Sequence, residues 1–281
     1  MAAEEVLTLG DAEYRYVAEL LYRHFGIQLG GQKRVLVAGR LAKRVRQLGF
    51  SSFADYFDFL RADPSGDELS EFINRLTTNH SFFNRERDHF EFLRAEVFPG
   101  IARRLEREPR YPVRMWSAGC AAGEEVYTLA IYLREAFGTA VDSGDFGLLA
   151  TDISLQALRA AKAGVYAGQK LSELPPGLRA AYFTKTGPDE LEVSEKVRGM
   201  VLFKRLNLMA ERYPFKKPFD VILCRNVMIY FDQASRSRLI HAFHDCLKPG
   251  GHFFIGHSET IPRADCPFEY LRPAIYRKKE E

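Results

Sequence analysis

Apolar side chains in the first third of the chain recur three or four positions apart, a spacing that predicts amphipathic helices. The first helix is predicted at residues 11–25, with Asp11 able to cap it, and the second at 33–48, ended by Gly49. Three more helices are predicted at Phe53–Arg61, opened by Ser52, at Glu68–Leu76 and at Asp88–Leu105. Because nothing here alternates with a period of two, we expect residues 1–95 to form a small all-α domain.

Beyond Pro112 the pattern changes to short apolar runs that alternate with amphipathic stretches. Strands are predicted at residues 113–117, 146–151, 219–224 and 252–256, and helices at 124–137, 154–163 and 233–247. This alternation is typical of α/β folds with a parallel, doubly wound, Rossmann-like sheet, which we expect over residues 96–281. Residues 268–276 are predicted to add a short antiparallel strand or hairpin.

Residues 164–217 interrupt this alternation. The segment is too long for a connecting loop, and it holds Pro175-Pro176 and short strand-like runs such as Met200–Phe203. We expect an inserted subdomain made of a helix and a small antiparallel sheet.

Composition narrows the class of protein. With 281 residues, 46% of them hydrophobic and 27% charged, the chain resembles an ordinary globular protein with a sizeable core. No apolar run approaches the roughly 20 residues that span a bilayer, and the acidic N-terminus does not resemble a signal peptide, so we expect a cytoplasmic protein. The four cysteines are irregularly spaced without a CxxC pair, so we expect reduced thiols and no metal site.

The end of the first predicted strand carries the first candidate chemistry. Gly119 and Gly123 allow a tight turn and a close approach of backbone to a ligand, but the GxGxxG pattern of dinucleotide binders is absent. Glu124 and Glu125 disfavour a pyrophosphate and favour a cofactor with a cationic portion, such as S-adenosylmethionine. The alternative is that two acids merely favour a helix N-terminus.

The second predicted strand ends at Asp152. An acid in this position of a doubly wound fold can accept hydrogen bonds from ribose hydroxyls, although it can also be a plain helix cap. Together with the turn at Glu124, Asp152 favours a methyltransferase.

Four blocks of the chain resemble, in order, motifs of the CheR family of chemotaxis receptor methyltransferases. They are Thr77–Glu86, Trp116–Tyr127, Cys224–Asp232, and Pro249–Gly251 with Gly256–Glu259, within a resemblance that covers about Tyr14 to Tyr276. The departures are Val126 for a proline, Ala121-Ala122 for Ser-Thr, Ser81 for Thr, and Asn84 placed between the phenylalanines and Arg85.

The resemblance implies a methyl donor, S-adenosylmethionine, a product, S-adenosylhomocysteine, and an acceptor, glutamate side chains of methyl-accepting chemotaxis receptors. It implies catalytic roles for Arg85, which would orient the acceptor, and for Tyr230, which would face the reaction centre. The residues implied at the cofactor are Asn79, Ser81 and Arg85 near the transferred methyl, Gly119 in the turn, Glu124 at the amino-acid end, Asp152 at the ribose, Asn207 with Leu208 at the adenine, and Arg225 with Asn226 beneath it.

The second predicted helix is strongly basic. Arg40, Lys43, Arg44 and Arg46 have no acid among them, and we expect one exposed positive stripe opposite the apolar face. Such a run is usually a solvated face. The resemblance implies instead that it docks on the acidic methylation helices of the receptor.

Two other functions stay open. A nucleic-acid methyltransferase is suggested by a pI near 8.6, but Arg225–Met228 stands where amino methylases carry an Asn/Asp-Pro-Pro-Tyr segment. A cofactor-binding scaffold of a chemosensory array is the non-enzymatic alternative. We expect a monomer that binds no nucleic acid and does not insert into membranes. The loop Lys185–Glu192 looks shorter than in relatives that grip a receptor's C-terminal peptide, so we expect no such tether.

Overall fold

A computed structural model describes residues 7–77 and 81–280. The chain divides into two compact units. The first comprises the described part of Met1–Thr78 together with Tyr230–Ser235, and the second comprises the described parts of Asn79–Ile229 and Arg236–Glu281.

The first unit is all-α, as predicted. Its helices are α1 (Asp11–Phe25), α2 (Arg34–Gln47), α3 (Phe53–Ala62) and α4 (Asp67–Leu76). Ser52 caps α3 by accepting a hydrogen bond from Asp55 N at 3.1 Å, but Asp11 is the first helical residue of α1 and Gly10 holds the cap position. The segment Tyr230–Ser235 joins this unit because Gln28 N donates to the Tyr230 carbonyl at 2.8 Å.

The predicted helix at Asp88–Leu105 is α5 (Arg87–Phe92) and α6 (Phe98–Arg107), joined through a π-helical turn at Leu93–Val97. These elements bury Phe90 and Leu93 in the core of the second unit. The boundary between the two compact units therefore lies near Thr78. The predicted domain boundary after residue 95 stays a prediction.

The second unit is built on a seven-stranded sheet. Its strands are β1 (Val113–Ala118), β2 (Phe146–Asp152), β6 (Val201–Arg205), β7 (Phe219–Cys224), β8 (Leu247–Ile255), β9 (Glu269–Arg272) and β10 (Ile275–Arg277), in the order β6-β2-β1-β7-β8-β10-β9. The first five pair in parallel, and β10 pairs antiparallel with both β8 and β9. The doubly wound sheet and its antiparallel end are thus confirmed. Because β1 lies between β2 and β7, the order of connection reverses beside it, which is where such sheets bind ligands.

The helices of the second unit complete the α/β arrangement. They are, besides α5 and α6, α7 (Glu124–Phe137), α8 (Ala140–Ser143), α9 (Leu155–Ala163), α10 (Pro176–Tyr182), α11 (Glu195–Arg198) and α12 (Gln233–Cys246), whose first residues lie in the first unit. No helix in the described part of the chain combines the length and the apolar character that a membrane crossing requires.

The small inserted antiparallel sheet and its helix are confirmed. The sheet consists of β3 (Val165–Ala167), β4 (Phe183–Lys185) and β5 (Glu190–Val193) in the order β3-β5-β4, with α10 beside it. The run Met200–Phe203, expected in this subdomain, instead starts β6 of the main sheet. The reason is packing: Phe203 is buried and its ring lies 5.7 Å from that of Tyr127 on α7.

Trp116 anchors the strand that leads to the candidate cofactor turn. Its side chain is fully buried on β1, and its indole N–H donates to Thr151 Oγ1 on β2 at 2.9 Å. The rings of Phe215 and Phe243 lie 4.8 and 5.2 Å from the Trp116 ring. The carboxyl ends of β1 and β2 are therefore held in register by a side-chain hydrogen bond within an aromatic cluster.

The basic helix α2 does not present one free stripe, and that prediction is wrong for Arg44 and Arg40. Arg44 forms a bidentate pair, at 2.5 and 3.1 Å, with Glu68 of α4, which is only 4% exposed and also accepts from the Tyr56 hydroxyl at 2.8 Å. Arg40 Nη1 donates to the Leu76 carbonyl at the end of α4 at 2.7 Å. A buried carboxylate and an open helix end on α4 thus engage both guanidinium groups. Lys43 and Arg46 are exposed.

We predict that Arg44→Ala lowers the free energy of unfolding by about 2–3 kcal/mol, because it leaves the Glu68 carboxylate buried without its counter-charge. Lys43→Ala, one residue earlier on the exposed face, should change it by less than about 0.5 kcal/mol. Urea unfolding followed by circular dichroism measures both. Equal effects of the two substitutions would contradict the structural role of Arg44.

Candidate functional site

The turn between β1 and α7 has a backbone that only certain residues tolerate. Gly119, Ala121 and Gly123 have φ values of 77°, 48° and 94°. A Cβ atom at Gly119 would lie 2.4 Å from Val227 Cγ2, so both conformation and space require glycine there. The turn therefore runs close against the segment that follows β7.

Asp152, at the end of β2, fastens this turn. Its Oδ2 accepts from Ala121 N and its Oδ1 from Ser154 N, each at 2.9 Å. Burial raises the pKa of this carboxyl, against the lowering effect of its backbone donors. The helix cap of α9 is Ser154, not Asp152, so the plain-cap alternative is wrong. Each carboxylate oxygen keeps capacity for a further donor, such as a hydroxyl.

Glu124, the first residue of α7, is a buried carboxylate of which only one oxygen is hydrogen-bonded among the described residues. It is 1% exposed, and its Oε1 lies 3.2 Å from Lys170 Nζ. Its Oε2 is buried and has no hydrogen-bond partner among the described residues. Because an unsatisfied buried carboxylate oxygen is costly, this atom fits a ligand that brings a donor or a cation.

Lys170 is a site residue that the sequence analysis missed. It comes from the inserted subdomain, and its ammonium donates both to Glu124 and to the Ser81 carbonyl. Its own carbonyl accepts from Phe83 N at 2.9 Å. A lone lysine after a short strand carries no signal in sequence, since its partners lie 46 and 89 residues away.

Glu125 differs from its neighbour because both of its carboxylate oxygens have partners within the chain. Its Oε1 accepts from the Ser117 hydroxyl at 2.7 Å, and its Oε2 pairs with Arg225 Nη1 at 3.2 Å. Burial raises the pKa of Glu125, and the Arg225 charge opposes that rise. Of the two glutamates in the turn, only Glu124 is thus left to meet a ligand's positive charge.

Arg225 is the centre of a buried ion-pair network. Its side chain is 2% exposed and pairs with Glu86 at 3.1 Å as well as with Glu125. Its Nη2 also donates to the Arg85 carbonyl. Burial would raise the pKa of Glu86, but the Arg225 charge and the donors around it outweigh burial and hold that pKa below its ordinary value. These contacts position the backbone of Arg85; direct contact of Arg225 with a cofactor stays a prediction.

Asn226 and Glu259 lock the last two sequence blocks together. Asn226, at a left-handed φ of 59°, donates its backbone N–H to Glu259 Oε2 at 2.9 Å and its side-chain amide to Glu86 Oε1 at 3.2 Å. Glu259 also accepts from Gly256 N at 2.5 Å. A Cβ at Gly256 would lie 2.4 Å from Asn226 Nδ2, which excludes a side chain there.

Asn84, the residue that departs from the family pattern, is a structural link. It is 2% exposed with φ of 61°, and its backbone N–H donates to Thr128 Oγ1 at 3.1 Å. Its amide donates to the Glu173 carbonyl at 2.9 Å and accepts from the Tyr132 hydroxyl at 3.1 Å. The departure from the family pattern thus forms a turn directly before Arg85, held in place by the hydrogen bonds of Asn84.

The remaining predicted site residues fall in different places. Arg85 is half-buried, its guanidinium 5.9 Å from the Phe82 ring, and its charge opposes the rise that burial causes in the pKa of Glu125. Asn207 Oδ1 accepts from Met209 N at 3.0 Å, and the Leu208 carbonyl accepts from the Tyr213 hydroxyl at 2.8 Å, in the turn after β6. Tyr230 belongs to the first unit, where Lys33 Nζ lies 5.8 Å from its ring. Asn79 lies outside the described residues.

Contacts within the second unit therefore join most of the predicted set. One network runs from Ser81 through Lys170 to Glu124, and another from Arg85 through Arg225 to Asn226. The Gly119 turn and Asp152 connect through Ala121, and the Asp152 carbonyl accepts from Leu206 N, next to Asn207, at 3.1 Å.

A histidine cluster lies beside the ion-pair network. Glu86, His89 and His257 each offer one ligand atom within 4.8 Å of the others, a spacing that metal ligands can have. The Glu86 carboxylate, however, already accepts from Arg225 and Asn226, and His257 Nε2 lies 3.0 Å from Asp88 Oδ2. The expectation of no metal, drawn from the cysteine spacing, stays a prediction. The His89 ring packs edge-on against Phe254 at 5.6 Å.

Comparison with known proteins places these motifs in a family. Residues 12–77 match the family model "CheR methyltransferase, all-alpha domain", and residues 79–276 match "CheR methyltransferase, SAM binding domain". The chemotaxis protein methyltransferase of Borreliella burgdorferi is 39% identical over 266 residues, covering 95% of this chain and 94% of its own. That of Escherichia coli is 38% identical over 275 residues, covering 97% and 92%. Chemotaxis protein methyltransferase 2 of Pseudomonas aeruginosa is 40% identical over 267 residues, covering 94% and 92%.

We predict that acid destabilises the fold through His89. Burial, followed by the Arg225 charge, lowers the pKa of His89 from 6.5 to about 3, against the raising effects of Asp88 and Glu86. Between these values the unfolded chain binds a proton here that the folded chain does not, so the free energy of unfolding falls as pH drops from 6.5 towards 3, by at most about 1.4 kcal/mol per pH unit.

His89→Phe should reduce the slope of the unfolding free energy against pH between pH 6.5 and 4.5, because up to one fewer proton is taken up on unfolding. The free energy of unfolding at pH 8 should change less than the value at pH 4.5. Neither ring nitrogen of His89 has a hydrogen-bond partner among the described residues, so phenylalanine forfeits little. The matched control is His241→Phe at an exposed position of α12. An unchanged slope in the His89 variant would show that this ring does not carry the effect.

Proposed function

We propose that this chain, which belongs to the CheR methyltransferase family, methylates glutamate side chains of chemotaxis receptors to form methyl esters. The chain is an S-adenosylmethionine-dependent methyltransferase of chemotaxis. The glutamate acceptor and the receptor partner belong to the proposal. The observation that supports the cofactor site is the buried Glu124 carboxylate, with one oxygen unpartnered among the described residues, at the switch point of the sheet; the acceptor is proposed from the family.

The residues at the carboxyl ends of β1 and β2 fit this cofactor. The cofactor, when bound, supplies a methyl group on a positively charged sulfur. Glu124 would hold its ammonium group, since the Oε2 atom needs a donor, and Asp152 would accept from its ribose hydroxyls. We place Asn207 and Leu208 at the adenine and Ser81 near the methyl, following the family motifs.

The acceptor needs little chemical activation from the chain. A glutamate side chain has an ordinary pKa near 4.3, so at neutral pH it is already an anion and requires no general base. The chain must therefore exclude water and hold the carboxylate oxygen in line with the methyl carbon and sulfur. Positioning of this kind can lower the activation free energy by about 7–11 kcal/mol.

Arg85 and Tyr230 are the residues that we propose at the reacting carboxylate. The guanidinium of Arg85 has the planar donor geometry that matches a carboxylate, and its backbone is held by the buried Arg225. Tyr230, six residues beyond the end of β7, would shape the acceptor site. Of the basic residues proposed for receptor docking, the exposed Lys43 and Arg46 are now the principal candidates, because Arg40 and Arg44 have structural partners.

The test is transfer from methyl-labelled S-adenosylmethionine to receptors of the source organism. Methyl esters are released by alkali, whereas methyl groups on amides or nucleobases are not. Label that stays after base treatment, or that appears on added nucleic acid, would support the nucleic-acid alternative; cofactor binding without transfer would support a scaffold.

We predict that Arg85→Ala lowers the rate of transfer at least about 100-fold while thermal stability is kept, because the acceptor loses its orienting cation. Arg87→Ala is the matched control, since Arg87 is exposed and pairs only with Glu91, at 2.7 Å, among the described residues. Retained activity in the Arg85 variant would remove its catalytic role.

We predict that Glu124→Gln weakens binding of S-adenosylmethionine about 10-fold or more, because a neutral amide replaces the partner of the ligand ammonium. Calorimetric titration without receptor measures this directly. Glu106→Gln, at an exposed position of α6, should bind as the parent chain does. Equal affinities of the Glu124 variant and the parent chain would show that Glu124 does not bind the amino-acid end of the cofactor.

A further inference from the structure

Glu124 and Lys170 form a pair of opposite charges at the start of α7. The Lys170 ammonium lies 3.2 Å from Glu124 Oε1 and also donates to the Ser81 carbonyl. The Glu124 side chain is 1% exposed, whereas that of Lys170 is 30% exposed. The pair is therefore buried at its carboxylate and accessible at its ammonium.

Neither member of the pair uses its full hydrogen-bonding capacity among the described residues. Glu124 Oε2 is buried and has no partner there. A lysine ammonium carries three N–H donors, and the described acceptors of Lys170 are two, Glu124 Oε1 and the Ser81 carbonyl. One acceptor and one donor of opposite charge thus remain available within a single ion pair.

The adjacent glutamate shows what a purely internal carboxylate looks like in this fold. Both oxygens of Glu125 have partners, Ser117 for Oε1 and Arg225 for Oε2. An unsatisfied buried carboxylate oxygen is costly, so a pair with only a structural purpose would be expected to engage both oxygens in the same way. The pair of Glu124 and Lys170 does not, and its open positions therefore indicate a ligand.

The inserted subdomain holds Lys170 in place through its backbone. The Lys170 carbonyl accepts from Phe83 N at 2.9 Å, and the buried Phe83 ring lies edge-on to Tyr166 and Phe183, at 4.9 and 5.1 Å. The Tyr166 hydroxyl donates to the Ala122 carbonyl, in the turn before α7, at 2.6 Å. These contacts fix β3 and the turn after it against the cofactor turn. An ammonium that is already held in place loses less freedom when it binds a ligand.

The amino-acid end of S-adenosylmethionine carries two charges on one carbon atom, an ammonium and a carboxylate. A ligand ammonium at Glu124 therefore brings a carboxylate with it. A carboxylate removed from water needs a counter-charge or donors beside it. Lys170 is the cation that the described part of the chain places in ion-pair contact with Glu124.

We propose that Lys170 binds the carboxylate of S-adenosylmethionine, so that Lys170 and Glu124 recognise both charges of its amino-acid end. The proposal rests on the proposed placement of the ligand ammonium at Glu124, and it is independent of the methyl acceptor. Lys170 is then a specificity-determining residue. It discriminates against ligands that keep the ammonium but lack the carboxylate, because such ligands leave its remaining donor without a charged partner.

The test is calorimetric titration of the full chain, without receptor, with three ligands. They are S-adenosylmethionine, its decarboxylated form, which keeps the ammonium and the sulfonium, and methylthioadenosine, which lacks the amino-acid end. The parent chain should bind S-adenosylmethionine at least about 10-fold more tightly than the decarboxylated form, since only the former makes the charge-assisted contact.

Lys170→Met should weaken binding of S-adenosylmethionine about 10-fold or more. The decarboxylated form should bind this variant as tightly as the parent chain or more tightly, because Lys170 no longer competes for Glu124. Affinity for methylthioadenosine should stay unchanged. Lys170→Arg keeps the positive charge and should retain most of the preference for the carboxylate. If Lys170→Met does not fold, Lys170→Gln, which keeps a donor, carries the same expectation.

Two further variants separate this role from others. Lys185→Met, at an exposed position of β4 in the same subdomain, should bind all three ligands as the parent chain does. Glu124→Gln should weaken S-adenosylmethionine and its decarboxylated form alike, since both carry the ammonium. The loss of carboxylate preference is therefore a signature of Lys170 alone.

Three results would overturn the proposal. One is a parent chain that does not prefer S-adenosylmethionine to its decarboxylated form. Another is a Lys170→Met variant that binds S-adenosylmethionine as the parent chain does. The third is an equal loss of affinity for all three ligands in that variant, which would make Lys170 a structural partner of Glu124 only. A parent chain that forms no base-labile methyl groups would remove the glutamate acceptor and leave these affinities unaffected.

Discussion

The second unit depends on one buried cation, the guanidinium of Arg225. It lies between the carboxylates of Glu86 and Glu125 and donates to the Arg85 carbonyl. Removing one partner from such a buried pair is far more costly than a surface ion pair is worth, because the charges left behind have no solvent. Arg225, at the end of β7, thereby connects two segments that are remote in sequence, the turn before α5 and the start of α7. The positions of Arg85 and Glu124 follow from it.

This arrangement explains how two adjacent glutamates acquire different chemistry. Arg225 and Ser117 donate hydrogen bonds to the two oxygens of Glu125, whereas Glu124 retains an oxygen without a partner in the described chain. The proposed preference of the turn for a cation over a phosphate therefore rests on Glu124 alone. Lys170 screens this carboxylate from one side only, which leaves the other side for a ligand.

Much of the fold followed from periodicity, and the places where it did not have a common cause. Strands and helices with a strong apolar pattern, such as β1, β7 and α7, were predicted close to their observed bounds. The strand β6 was misplaced because a short apolar run does not reveal which sheet it joins; packing of Phe203 on Tyr127 decides that. The partners of Arg44 and Lys170 also escaped prediction, since 24 and 46 residues separate them from Glu68 and Glu124. The residues of the candidate site were proposed from motifs, and their mutual contacts could be seen only in the tertiary structure.

The contact between Gly256 and Asn226 has a consequence for how the family can change. A side chain at 256 would occupy the space of the Asn226 amide, and that amide in turn holds Glu86. Gly256 therefore cannot acquire a side chain while Asn226 keeps its place. A tolerated replacement of Gly256 must be accompanied by a change at Asn226, which is the non-additive coupling expected of residues in contact. The two C-terminal sequence blocks are in this sense structurally coupled, and a chimaera that placed any residue other than glycine at 256 beside Asn226 would contain a steric conflict.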